Sequence, residues 1–131
     1  MSKKFFLALF LFALLFSLSA CGKGRVIAVV AGEEPQTVTL QAGDTLRVTL
    51  PGNPTTGYAW ELSQVNDTLL KPQGELAFTP EGGDLVGAGG TFAIEFKAQE
   101  VGSTTLLFIY RRPFEADTPP LQTFELTVSI E

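Results

Sequence analysis

Residues 123–130 have the sequence Thr-Phe-Glu-Leu-Thr-Val-Ser-Ile, in which every second residue is apolar. This period of two is typical of a β-strand with one face on a core and the other in water. The same alternation occurs in residues 45–50, 58–63 and 92–97. Residues 106–110 are apolar at every position, which is typical of a central strand covered on both faces, or of one whose outer face meets a loop.

Shorter strands are predicted at residues 26–30, 37–40 and 76–78, and no helical period competes with them after residue 25. Clusters of Gly, Pro and Asn separate the strands. We therefore expect an all-β fold, an immunoglobulin-like antiparallel β-sandwich of seven to eight strands. Trp60 is a candidate core residue on its third strand, although the cysteine pair of antibody domains is absent.

The start of the chain has a different character. Lys3 and Lys4 precede an uncharged apolar run at residues 5–18. This run is shorter than the roughly twenty apolar residues of a membrane-spanning helix, and small residues follow it, as in a signal peptide. Leu18-Ser19-Ala20-Cys21 resembles the lipobox of bacterial lipoproteins, in which the cysteine receives lipid and becomes the new N-terminus. The alternatives are an uncleaved anchor or a plain secretory signal, and either would still export the domain.

Three parts are therefore predicted. Residues 1–20 form a lipoprotein signal peptide that is removed, residues 21–25 form the lipidated N-terminus and a short tether, and residues 26–131 form one sandwich domain. The 111 residues that remain after cleavage suit one domain but not two ordinary ones. Lipid on Cys21 would anchor the exported chain to a membrane of the bacterial cell envelope, the outer membrane in a Gram-negative cell.

Composition excludes several classes of function. After cleavage, the remaining chain has 7 basic and 14 acidic residues, a formal charge of −7. This charge makes nucleic acid a poor partner. The chain has no histidine and only one cysteine, so His-dependent triads, common zinc sites and disulfides cannot form. Calcium-loop and phosphate-loop motifs are also missing. We expect a monomer that is not an enzyme and needs no metal or cofactor.

Three connections are candidates for binding. Loop 1 (residues 51–57, Pro-Gly-Asn-Pro-Thr-Thr-Gly) is stiffened by two prolines and ends on a glycine. Loop 2 (residues 81–90) is rich in glycine, and loop 3 (residues 111–120) begins with two arginines and an aromatic. Alternating strand directions place all three at one end of an antiparallel sandwich. Each loop alone is also compatible with ordinary turn chemistry, but three together indicate a binding surface.

These loops resemble the motifs of the chagasin-like inhibitors of papain-like cysteine peptidases. Residues 53–60, Asn-Pro-Thr-Thr-Gly-Tyr-Ala-Trp, resemble the family's Asn-Pro-Thr-Thr-Gly-aromatic motif. Residues 87–91, Gly-Ala-Gly-Gly-Thr, resemble its glycine-rich motif, and Arg112-Pro113-Phe114 resembles its Arg-Pro-aromatic motif. The resemblance covers essentially the whole predicted domain in strand order. The family usually has tryptophan at the position of Phe114.

The resemblance implies a reversible inhibitor that blocks the peptidase cleft sterically. Thr55 and Thr56 would enter the cleft beside the catalytic cysteine, with loops 2 and 3 on its two sides. Phe114 would be a buried anchor, and Arg112 would pair with an acid of the peptidase or orient its loop. The implied peptidase-binding residues are Asn53, Pro54, Thr55, Thr56, Gly57, Tyr58, Gly87, Ala88, Gly89, Gly90, Arg112, Pro113 and Phe114.

Several alternatives stay open at this point. Tyr58 and Trp60 suit the core, and Arg112 could bond neighbouring loop carbonyls. The runner-up function is a cell-envelope immunoglobulin-like adhesion or protein-binding module, and the target of an inhibitor could be the cell's own peptidase or a host's. Residues 26–40 can also follow either of two paths. One kinked strand would start the domain at the loop end, whereas a hairpin turned by residues 32–35 (Gly-Glu-Glu-Pro) would start it at the opposite end.

Overall fold

The computed structural model describes residues 24–32, 35–83 and 87–131. The predicted signal peptide, Cys21 and residues 84–86 of loop 2 lie outside the described residues. Nine strands and one short 3-10 helix are present in this part of the chain. In chain order they are β1 (Val26–Val30), β2 (Gln36–Leu40), β3 (Thr45–Gly52), the 3-10 helix (Pro54–Thr56), β4 (Ala59–Gln64), β5 (Leu70–Pro72), β6 (Ala77–Pro80), β7 (Gly90–Ala98), β8 (Gly102–Arg111) and β9 (Gln122–Ile130).

The strands form a five-stranded and a four-stranded sheet. The first has the order β1-β3-β7-β5, with β6 also paired to β7, and the second has the order β2-β9-β8-β4. Neighbours are antiparallel except at one edge of each sheet, where β1 runs parallel to β3 and β2 parallel to β9. The predicted all-β sandwich is confirmed. The additional strand, β5, is three residues long, too short for an alternation to reveal it.

The apolar residues of the alternating segments line the space between the sheets. Trp60 is 6% exposed and belongs to this core, as predicted, although its strand, β4, is the fourth and not the third. Strand β8 lies between β9 and β4; its inward residues Leu106 and Phe108 are buried, while Leu107 and Ile109 on its outer face are half-buried. Residues 106–110 therefore form a central strand with a partly covered outer face. No helix among the described residues is long and apolar enough to cross a membrane.

The three candidate loops share one end of the sandwich, here called the loop end. Gly52, the last residue of β3, lies opposite Gly90, the first of β7. Ala59 at the start of β4 lies opposite Arg111 at the end of β8. Loop 1 leaves β3, loop 2 enters β7 and loop 3 leaves β8 at this level. The predicted convergence of the three loops is confirmed.

The described chain starts at the opposite end, here called the N-terminal end, where residues 24–25, 41–44, 65–69 and 99–101 meet. Strand β1 runs parallel to β3 from the pair Val26 and Thr45 and so rises toward the loop end. Strand β2 runs with β9, away from the loop end. The chain therefore reverses between β1 and β2, and the single kinked strand was a wrong alternative. The two strands join different sheets, so the predicted hairpin was right about the direction of the chain but wrong about the pairing of the strands.

Candidate functional site

Loop 1 is a rigid turn because its own side chains form hydrogen bonds with its backbone groups. Asn53 has an extended conformation and its side-chain oxygen accepts from the Thr55 N–H at 3.1 Å, capping the 3-10 helix. The Thr56 hydroxyl donates to the Asn53 carbonyl at 2.6 Å. Gly57 ends the turn with φ of 84°, a left-handed conformation that glycine adopts without strain. The exposed surface of the turn is formed by Thr55 and Thr56.

Asn53 also ties this turn to the body of the domain and to loop 2. Its backbone N–H donates to the Tyr110 hydroxyl at 3.0 Å, so a core strand supports the turn from below. Its side-chain Nδ2 donates to the carbonyl of Gly87 at 3.0 Å. A single asparagine therefore caps loop 1, seats it on β8 and joins it to loop 2.

Loop 2 lies close against loop 1 through its glycines. Ala88 and Gly89 are half-buried, and a Cβ added at Gly89 would lie 3.2 Å from the Gly52 carbonyl oxygen. Gly90 is buried in β7, where an added Cβ would collide with the backbone of β6. Gly87 is exposed and has φ of 82°. The glycine-rich motif thus allows close backbone packing, and Gly87 is its exposed residue.

Loop 3 contacts loop 1 from the other side. Arg112 Nε donates to the Thr56 carbonyl at 3.2 Å, and its guanidinium carbon lies 4.5 Å from the centre of the Tyr58 ring. The guanidinium also pairs with Glu115 at 3.4 Å within loop 3. The Phe114 ring lies beside Gly57, where an added Cβ would be 3.4 Å from two ring carbons. Arg112 therefore bonds a neighbouring loop carbonyl, as one of the alternatives predicted, and orients its own loop by doing so.

Phe114 is the most exposed large apolar side chain of the described residues, at 75%. It stands beside the exposed Thr55 and Thr56, while Arg112 and Tyr58 are half-buried beneath. The Phe114 ring is therefore exposed apolar area next to loop 1. The loop end thus presents a stiff, uncharged turn with one aromatic beside it.

Two supporting residues were not predicted from the sequence. Tyr110 accepts the Asn53 bond and packs against Tyr58 and Trp60, with ring centres at 5.4 Å and 5.0 Å. Glu61 pairs with Arg111 at 2.9 Å, which gives Arg111 a structural partner. The only signal for Tyr110 is that a buried tyrosine hydroxyl needs a hydrogen-bond partner, and this does not identify the partner.

Comparison with known proteins agrees with this geometry. Residues 39–128 match the family described as chagasin family peptidase inhibitor I42. Amoebiasin-2 of Entamoeba histolytica is 32% identical over 98 residues, 75% of this chain and 80% of that protein. Chagasin of Trypanosoma cruzi is 29% identical over 83 residues, 60% of this chain and 74% of chagasin.

A solved structure has a similar fold. The crystal structure of the cysteine protease inhibitor EhICP2 from Entamoeba histolytica superposes with a TM-score of 0.69 at 28% identity, covering 82% of this chain and 96% of that chain. The matched segment, residues 39–128, contains all three linked loops. This chain belongs to the chagasin family of peptidase inhibitors.

Proposed function

We propose that the chain inhibits papain-like cysteine peptidases by placing loop 1 in the active-site cleft, with loops 2 and 3 against its two walls. The observation that supports this most is the Asn53-capped turn, which presents Thr55 and Thr56 while hydrogen bonds tie it to both neighbouring loops. Family membership supplies the class of partner.

Rigidity favours binding because fewer conformations are lost when the complex forms. Pro54 fixes one φ angle of the turn, and five hydrogen bonds within loop 1 satisfy its polar groups before any partner arrives. A pre-organised loop converts more of its contact energy into affinity. The site therefore suits tight, reversible binding without a covalent step.

The conformation of loop 1 also explains how it would resist cleavage. A 3-10 turn at Pro54–Thr56 followed by a left-handed Gly57 is compact, whereas a peptide strand that adds to a cleft is extended. The short threonine side chains let the turn approach a nucleophile closely. No peptide bond of the turn would then lie in the extended register that attack requires.

Phe114 is proposed as the aromatic anchor on one wall of the cleft. Its ring is supported by Gly57 on one side and is otherwise exposed. Buried aromatics at the centre of an interface often contribute about 2 kcal/mol or more. Arg112 would act mainly by holding the loop that presents this ring.

Titration of papain, or of a cathepsin L-type enzyme, with residues 22–131 tests the proposal. We expect residual activity to fall in a saturable way and to recover on dilution. Inhibition absent at micromolar concentrations of the domain would exclude the proposed function. Capture by papain-agarose separates an inhibitor from an adhesion or protein-binding module for other envelope components, which would not be retained.

The export and anchoring of the chain are a second part of the proposal. Cleavage after Ala20 and lipid on Cys21 would hold the domain at the cell envelope, at the outer membrane of a Gram-negative cell. The basis is the sequence pattern of residues 3–21, which lies outside the described residues. Mass spectrometry of the membrane-extracted chain should show an N-terminal lipidated cysteine, and Cys21→Ala should abolish it. An intact Met1 in the extracted chain would contradict cleavage.

A further inference from the structure

The N-terminal end of the domain is fastened by one buried acid. Asp44 is 3% exposed. Its carboxylate accepts from the Gln41 N–H at 2.9 Å, from the Arg25 N–H at 2.9 Å and from the Arg25 guanidinium at 3.1 Å. The Thr45 N–H donates to the Arg25 carbonyl at 2.8 Å. The first described residues are therefore fixed to the turn between β2 and β3.

Gly24 is packed into the same place. A Cβ at this position would collide with the carbonyl of Gly43 and lie 3.1 Å from the Asp44 Cα. The chain is thus attached to the domain from Gly24 onward, and only Gly22 and Lys23 separate it from Cys21. Fully extended, the step from Cys21 to Gly24 covers about 11 Å.

The loop end is much farther away than this tether can reach. Strand β8 runs the full height of the sandwich, from Gly102 to Arg111, and its 10 residues span roughly 30 Å at the rise of a β-strand. If the loops touched the membrane, the N-terminal end would stand roughly 30 Å above it. An 11 Å tether could not bridge that distance.

We propose that the chain acts as a membrane-bound inhibitor whose loop end faces away from the bilayer, so that it captures peptidases arriving from the aqueous phase. This inference rests on the proposed inhibition and on the proposed lipid at Cys21. Strand direction carries it: β1 starts at the end opposite loops 1, 2 and 3. One end of the sandwich would hold the membrane and the other the enzyme.

Fluorescence on vesicles tests the orientation. The lipidated full chain is reconstituted with an acceptor lipid, and a donor dye is placed on Val101→Cys or Leu121→Cys, which are 71% and 59% exposed at the N-terminal and loop ends. The lipid-linked Cys21 does not compete for the dye, so the introduced thiol is the sole target. We expect strong transfer from residue 101 and weak transfer from residue 121. Equal or reversed transfer would overturn the orientation.

Inhibition on vesicles distinguishes this inference from the proposed function. Papain in solution should be inhibited by the vesicle-bound chain and by the detergent-solubilised chain. The two inhibition constants should agree within about twofold. A ten-residue Gly-Ser insertion after Lys23 should also change inhibition by less than about twofold. Inhibition in detergent that is lost on vesicles and restored by the insertion would overturn the orientation. Loss in both states would reject the inhibitor function itself, and the fluorescence result would still decide the orientation.

Discussion

The two ends of the sandwich use the same local chemistry for different purposes. At the loop end, Asn53 accepts from the Thr55 N–H at 3.1 Å; at the N-terminal end, Asn66 accepts from the Thr68 N–H, also at 3.1 Å. Both turns have an exposed threonine. Within the part of the chain that the structure describes, only the first asparagine donates a side-chain hydrogen bond to another loop. An Asn-x-Thr turn is therefore a structural motif, and its surroundings decide whether it can serve as a binding element.

The ends also differ in what they leave exposed. At the N-terminal end the central polar group, Asp44, is sealed from water by its own partners. At the loop end the polar groups are paired within and between the loops, and Phe114 and the two threonines are exposed beside these hydrogen bonds. Polar groups that are already paired need no new partners when apolar area is covered. The loop end is thus prepared for a partner, whereas the N-terminal end is closed.

The largest difference in inhibition between variants of the two ends should come from placing a bulky residue in each asparagine turn. Thr56→Trp would prevent loop 1 from entering a cleft and should raise the inhibition constant for papain about a hundredfold, or roughly 2.7 kcal/mol. The matched variant is Thr68→Trp, which adds the same side chain at the N-terminal end. Thermal unfolding should show both variants folded. Equal inhibition constants for the two would mean that loop 1 does not enter the cleft.

Removal of an exposed apolar side chain at the loop end should have the next largest effect on peptidase binding. Phe114→Ala should raise the dissociation rate of the papain complex about ten- to thirtyfold, on the scale of a 2 kcal/mol anchor. Val101→Ala removes a similarly exposed apolar group at the other end and should leave the rate unchanged. Surface plasmon resonance gives both rates. A Phe114→Ala complex as long-lived as the wild type would remove the anchor role.

Variants of the two asparagines separate the effect of the cap on stability from the effect of the contacts between loops on inhibition. Asn53→Ala removes a cap and the bond to Gly87, so we expect about 1 kcal/mol of lost stability and about a three- to tenfold weaker inhibition. Asn66→Ala removes a comparable cap and should lose similar stability with unchanged inhibition. Urea unfolding and papain titration measure the two quantities. Weaker inhibition in both variants would indicate that general stability, and not loop assembly, controls binding.

Much of this organisation was predictable because it follows from local rules. Period-two alternation identified the long strands, and alternating directions brought the loops together. The stiffness of loop 1 follows from its two prolines and Gly57, whereas the cap by the Asn53 side chain was not predicted. The contacts that link the loops were not predictable, because alternation tells which face a residue occupies but not its partner. The bond between Asn53 and Tyr110 spans 57 positions in the sequence.

The direction of β1 was undecided for a related reason. Either course of residues 26–40 buries Ile27 and Val29 on an inner face, so the hydrophobic pattern fits both. The structure distinguishes them through the parallel pairing of β1 with β3 and through the bonds of Arg25 to Asp44. Asp44 gave no signal in the sequence, since an acid beside a glycine in a turn is ordinary surface chemistry.

The smallest effect on inhibition should come from Asp44, although its effect on stability depends on pH. The hydrogen bond from the Gln41 N–H, followed by those from Arg25, outweighs desolvation and lowers the pKa of Asp44 below its ordinary value. A lowered folded-state pKa stabilises the fold above the unfolded-state pKa of about 4, and this stabilisation is lost as the pH falls through the folded-state pKa. Asp44→Asn should therefore be less stable than the wild type at pH 7, and the difference should shrink as the pH is lowered below about 4.

Asp67→Asn, at an exposed acid of the same end, controls for the loss of one negative charge. Urea unfolding of the three proteins at pH 7 and pH 3 measures the dependence, and papain titration at pH 7 should give equal inhibition per folded molecule for all of them. A stability difference for Asp44→Asn that stays constant with pH would show that the carboxylate's charge is not what fastens the N-terminal end. Weaker inhibition by the folded Asp44→Asn protein would show that the two ends are coupled, because the sandwich would then transmit a change at Arg25 and Asp44 to loops about 30 Å away.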